Sequence, residues 1–159
     1  MREKTRSKEE TIDALHAVAE EMHNRMVRGE PPRMTLPVRS KKNISFDERL
    51  NVYKYGKKKT IRDATSLGSA HQLLRALFVT EFMQEMIEGQ KSSTLREMYY
   101  ISEGWGYGKF GSQNESNNLA EDLEIVTGCL REDFKLRPEE DGARIIGNLT
   151  FEERNRRGE

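Results

Sequence analysis

Apolar side chains at Ile12, Leu15, Val18, Ala19, Met22 and Met26 recur in steps of three and four with charged residues between them, which predicts an amphipathic helix over 11–28. Gly29 and Pro31-Pro32 end it. Proline-containing, extended sequence follows as far as Pro37, so this helix reads as an arm. Its apolar stripe needs cover, either by folding back on its own domain or by docking on a partner. Residues 44–63 mix β-formers with Lys and Arg around Tyr55-Gly56 and read as short strands or loops. The strongest helical pattern covers 67–88, with Leu73, Leu74, Leu77, Phe78, Phe82, Met83, Met86 and Ile87 as a broad apolar face ending at Gly89. Ser92-Ser93-Thr94 offers N-caps for a second helix, Glu97 stands in capping-box position, and Gly104 stops it after Glu103. A glycine- and asparagine-rich loop leads to a third helix over 118–127, with Leu119, Leu123 and Val126 as its apolar row and Gly128 as its stop. The alternation from Asp133 to Arg137, a turn over 138–142 and a returning strand over 143–151 predict a hairpin.

Three helices followed by a β-hairpin is the element order of a winged helix-turn-helix, so the expected fold class is α+β: a winged domain preceded by an amphipathic arm helix. That architecture binds nucleic acid, and it also serves purely for protein interaction. A length of 159 residues suits one domain with such an arm. No stretch approaches the roughly 18 apolar residues of a spanning helix. Cys129 is the only cysteine, which excludes a disulfide scaffold. The first thirty residues lack a signal-peptide apolar core, so the three Asn-x-Ser/Thr triplets at Asn43, Asn114 and Asn148 read as chance matches and the chain as soluble and intracellular.

Equal numbers of basic and acidic residues, 27 each, hide a strong asymmetry. Nine basic residues between Arg39 and Arg62 face only Asp47 and Glu48, whereas nine acidic residues between Glu115 and Asp141 face only Arg131, Lys135 and Arg137. Screening confines each charge to about 8–10 Å, so a local basic run attracts a polyanion even on a neutral molecule. Lys57, Lys58, Lys59, Arg62 and Lys91 are the candidate DNA contacts; the bland alternative is a solvated turn beside Gly56. The third helix carries Glu121, Asp122 and Glu124, which fits base reading poorly and argues against a sequence-specific repressor.

Candidate chemistry centres on the second helix. Arg96, Tyr100 and Glu103, spaced i, i+4 and i+7, share a polar face. A guanidinium one turn from a phenol favours a phenolate nucleophile and can hold a phosphate oxygen. Spacing alone leaves open the alternative that Tyr99 and Tyr100 are one core ring and one boundary ring. Gly106-Tyr107-Gly108-Lys109-Phe110-Gly111 matches G-x-G-x-x-G literally, but a helix precedes it where the dinucleotide fingerprint needs a strand. Its rings read instead as local packing. His16, His23 and His71 do not combine with other ligands at zinc spacing.

The run Ser93-Thr94-Leu95-Arg96-Glu97-Met98-Tyr99-Tyr100 resembles the active-site tyrosine motif of the A subunit of archaeal DNA topoisomerase VI, a type IIB enzyme related to the meiotic double-strand-break transesterase. Similarity extends upstream through the basic stretch around 55–62 and the long helix, and downstream through Glu121-Asp122-Leu123-Glu124 and 127–132, covering roughly residues 40–150. The resemblance implies a winged-helix domain of the catabolite-activator type. It implies Tyr100 as the nucleophile that forms a 5′-phosphotyrosyl link and frees a 3′-hydroxyl, with Arg96 as its activating and phosphate-holding neighbour.

The same resemblance sets further expectations. Residues 1–38 are an arm and linker, 39–151 the winged-helix domain, and 152–159 the start of a linker to a Toprim domain whose Glu and Asp-x-Asp carboxylates hold Mg²⁺. No Asp-x-Asp occurs in this sequence, so the chain by itself is expected not to turn over. The implied partners are double-stranded DNA, a second A subunit joined through the Toprim domain, and the ATP-hydrolysing B subunit. No membrane is expected, and the location is cytoplasmic, with the nucleoid. The arm stripe of Ile12, Leu15, Val18 and Met22 is the expected docking element for the B subunit. Two other classes compete, a non-catalytic winged-helix regulator and a protein-interaction module.

Overall fold

The computed structural model describes residues 6–48 and 52–137, and the helices anticipated from apolar periodicity are present, the one over 67–88 with the expected bounds and the others with shifted ends. Helix α1 (Lys8–Val27) begins at Ser7, whose hydroxyl accepts the Glu10 N–H while the Glu10 carboxylate accepts the Ser7 N–H. This reciprocal box satisfies donors that a helix start leaves orphaned. Helix α2 (Leu67–Glu88) starts at Ser66, which caps the Ser69 N–H. Helix α3 (Leu95–Ile101) has its own box from Thr94 and Glu97, and a tighter 3₁₀ turn over Ser102–Gly104 follows. Helix α4 (Gln113–Thr127) begins at Gln113 rather than at Asn118, because Ser112 caps Glu115 and supports a first turn too polar to show periodicity. Gly128, at φ 66°, closes it in the left-handed region.

Strand β1 (Arg33–Pro37) lies within the segment expected to be a linker. It pairs antiparallel with β4 (Lys59–Asp63), and Met34 and Leu36 alternate into the core. Between them, β2 (Ile44–Asp47) and β3 (Val52–Tyr55) form an antiparallel hairpin. Strand β5 (Ser93–Thr94) pairs in parallel with β6 (Leu136–Arg137), placing Thr94 opposite Arg137. The architecture is α+β, helices with small two-stranded sheets.

Three expectations need correction. The first helix is no detached arm: it packs on α2, α4 and β1. Leu15, Val18 and Met22 are buried in this chain's own core, and Ile12 packs against it. Each such burial stabilises by about 2 kcal/mol, so uncovering all three for a partner would cost about as much as a small domain's whole stability. The stripe is therefore filled from within. The Asp133–Arg137 alternation is likewise only partly a strand, since Lys135 at φ 60° breaks it and leaves Leu136–Arg137 alone extended. Phe134 and Leu136 are both fully buried. The expected turn, the return strand over 143–151 and the linker over 152–159 lie outside the described residues.

The third correction concerns charge. The basic and acidic runs fold partly onto each other. Arg39 donates to Glu121 at 2.8 Å and to Asp122, Arg62 donates to Asp122 at 2.9 Å, and Arg131 pairs with Glu124. The acidic face of α4 thus ties β4 and the chain after β1 to the helices.

Candidate active site

Helix α3 is anchored by Leu95 and Met98, both buried, with Tyr99 packed partly against the same core. That anchoring turns Arg96 and Tyr100 outward, as their spacing requires. Tyr100 is 55% exposed. The Arg96 Nε–H donates to the Tyr100 hydroxyl oxygen at 3.4 Å, a long contact, and the guanidinium carbon stands 5.8 Å from the ring centroid, within cation–π range. The Tyr99 and Tyr100 rings tilt at 52° with centroids 5.5 Å apart. Glu103, expected on the same face, pairs with Lys109 instead, and this contact raises the Lys109 pKa. Glu97 is held below its ordinary value, first by the Thr94 backbone N–H and then by the Ser93 hydroxyl, which keeps the cap charged.

The glycine-rich loop is a packing device. Trp105 stacks on Phe78 at 5.4 Å and 10°, and Phe110 is buried beside it. A Cβ on Gly108 would lie 2.4 Å from the Phe78 ring, so the glycine serves close approach of loop to helix. Tyr107 departs from the expected local packing, being 84% exposed.

The candidate DNA contacts separate in space. Lys57 and Lys58 form the exposed turn between β3 and β4, and Lys59 opens β4. The turn is pinned by buried Asn43, whose Nδ2 donates to the carbonyls of Val38 and Lys58 and whose Oδ1 accepts the Lys58 N–H. Beside it, Ile44 faces Tyr55 and Phe46 faces Tyr53 across the hairpin, so four exposed apolar side chains share one face. Arg62 is engaged by Asp122. Lys91 follows α2 and lines a different cleft, shared with the start of α1 and with β6.

Among the described residues, no group of three or more His, Cys, Asp or Glu side chains is placed to share a metal ion. None of the described helices is long and apolar enough to cross a membrane.

The type IIB DNA topoisomerase family matches residues 71–136, the span from α2 through α3 and α4 to β6. The chain is 44% identical over 157 residues to the A subunit of type 2 DNA topoisomerase 6 from Halobacterium salinarum, covering 98% of this chain and 43% of that protein. The counterpart of the same name from Archaeoglobus fulgidus is 46% identical over 147 residues, 92% of this chain and 41% of that one. The Methanosarcina mazei counterpart is 42% identical over 148 residues, with 92% and 40% covered. The chain spans about two fifths of the length of these archaeal relatives.

Proposed function

This chain is a relative of the archaeal type IIB DNA topoisomerase A subunits over nearly its whole length, and from that premise we propose that it is the DNA-cleavage part of such a subunit, folded as a winged helix-turn-helix. Tyr100 is the nucleophile. Its phenol oxygen gives up its proton and forms a bond to a backbone phosphorus of double-stranded DNA. The bond to the 3′ oxygen breaks, and that oxygen leaves as a free hydroxyl. Arg96 holds a phosphate oxygen with its guanidinium and keeps the ring in place. The phosphotyrosyl link conserves the energy of the phosphodiester, so resealing needs no further input. One observation carries the reading: an exposed Tyr100 hydrogen-bonded to Arg96 on a capped, core-anchored helix.

Lys57, Lys58 and Lys59 supply sequence-independent attraction for the duplex. Arg62, tied to Asp122, contributes mainly to the fold. The family's chemistry uses Mg²⁺, and among the described residues no three His, Cys, Asp or Glu side chains are grouped around one point. The ion's place is a Toprim domain of the complete subunit, with ATP on a B-subunit partner and a second A subunit cutting the other strand. The whole assembly passes one duplex through another in the cytoplasm, at the nucleoid.

The test is a covalent-adduct assay. The chain is combined with the remaining part of an A subunit, a B subunit, Mg²⁺, an ATP analogue and labelled duplex DNA. Label that survives denaturant on the wild-type chain and is absent from Tyr100→Phe is the expected result. An adduct that persists in Tyr100→Phe would overturn the assignment.

A further inference from the structure

Beside β6 lies a cleft of about 470 Å³ whose charge the sequence does not advertise. Arg6, Lys8, Lys91, Lys135 and Arg137 line it, drawn from the start of α1, the end of α2 and the turn into β6, and Asp133 is its one carboxylate. Both Asp133 oxygens are already engaged, one accepting the Arg6 N–H and the other the Leu130 N–H at 2.8 Å. Arg6 is fixed through its guanidinium to the Thr127 carbonyl and the Cys129 sulfur. Lys8, Lys91, Lys135 and Arg137 make no ion pair among the described residues, whereas Arg39, Arg62, Arg75 and Arg131 all do. Five cations converging on one concavity, without matching carboxylates, repel one another unless an anion fills it.

The cleft borders the tyrosine helix. Arg137 stands opposite Thr94, and α3 begins at the next residue. We propose that this cleft holds the phosphodiester backbone of DNA beside the helix that carries Tyr100. The inference rests on the DNA-cleavage reading above. It gives that reading a backbone anchor distinct from the Lys57–Lys59 turn. Arg6, Lys8, Lys135 and Arg137 thereby join Lys91, the only one of the five singled out by sequence.

The test uses the full 159-residue chain and fluorescence anisotropy of a labelled duplex across a salt series. The charge reversal Lys91→Glu with Lys135→Glu is expected to weaken binding about tenfold or more at low salt. It should also reduce the slope of log affinity against log salt by about two, since each phosphate contact contributes about 0.9. A matched Lys91→Gln, Lys135→Gln variant gives a smaller loss in the same direction, and thermal unfolding shows that both variants fold. Wild-type affinity and slope in both variants would sink the cleft and leave the DNA reading standing. A wild type that binds no duplex sinks both. If inorganic phosphate protects the cleft lysines from acylation while duplex DNA does not, the ligand is a free anion and the backbone assignment falls.

Discussion

Arg96 and Tyr100 sit one turn apart on α3, with the guanidinium Nε 3.4 Å from the phenol oxygen and the ring exposed, while adjacent Tyr99 packs against the core. Two neighbouring tyrosines therefore do opposite work. Tyr99→Ala is expected to cost about 2 kcal/mol of stability, because it removes a partly buried ring. Tyr100→Phe should change stability by less than about 0.5 kcal/mol, as surface substitutions do. Denaturant titration of the two variants checks this. An equal loss in both would mean that Tyr100 is structural.

The position of Tyr100 depends on how α3 starts. Thr94 and Glu97 cap each other reciprocally, and a seven-residue helix has little propensity of its own to fall back on. Thr94→Ala should cost about 1 kcal/mol. The folded chain holds the Glu97 carboxyl below its ordinary value of 4.5, through the Thr94 N–H and then the Ser93 hydroxyl. Its contribution is accordingly full above pH 4.5 and is lost as pH falls through the lowered folded value. The stability gap between wild type and Glu97→Ala, followed by thermal unfolding, should be constant at neutral pH and shrink in acid. A gap that widened in acid would contradict the cap.

Asp122 accepts from Arg39 and Arg62 together and is itself buried. Removing one partner of such a cluster is costly because the remaining charges stay partly desolvated. Both arginines keep some access to water, so Asp122→Ala is expected to cost about 2 kcal/mol rather than the larger loss of a fully buried pair. It also frees the Arg62 guanidinium, while Arg39 keeps Glu121, so the salt slope of DNA binding should steepen. Arg62→Ala should lower stability and leave that slope unchanged. A slope smaller by about one unit in Arg62→Ala would instead make Arg62 a phosphate contact.

The helices were legible because apolar periodicity and caps are local signals: Leu67–Glu88 has the bounds its pattern predicts, and Thr94 with Glu97 marks the start of α3. Strand β1 was missed because Pro31, Pro32 and Pro37 mask a two-residue alternation that only Met34 and Leu36 carry. The fate of the first helix was ambiguous for a different reason. An amphipathic stripe reports that something covers it, not whether the cover comes from α2 and α4 or from another chain. The tyrosine and its arginine were visible because one helical turn joins them. The basic cleft was invisible because Arg6, Lys91 and Arg137 are far apart in the chain and meet only through the parallel β5–β6 pairing and the return of α1. Charge runs misled in the opposite sense, since Arg39 and Arg62 are answered by Glu121 and Asp122 from the other end of the chain.

Gly108 offers a test of the loop that follows the tyrosine helix. Its φ is not positive, so backbone freedom is not the reason for glycine there. The reason is space: a Cβ would fall 2.4 Å from the Phe78 ring, which stacks on Trp105. Gly108→Ala must therefore push the ring, the loop or both, at a cost of about 1–3 kcal/mol typical of overpacking. Trp105 is the only tryptophan, so its emission reports the displacement directly. The expected outcome is a lower midpoint together with a shifted Trp105 spectrum. Phe78→Leu in the same background should recover part of the lost stability, because it removes the ring edge that the new methyl meets. A Gly108→Ala variant with wild-type stability and spectrum would show that the loop is not packed on α2 as described.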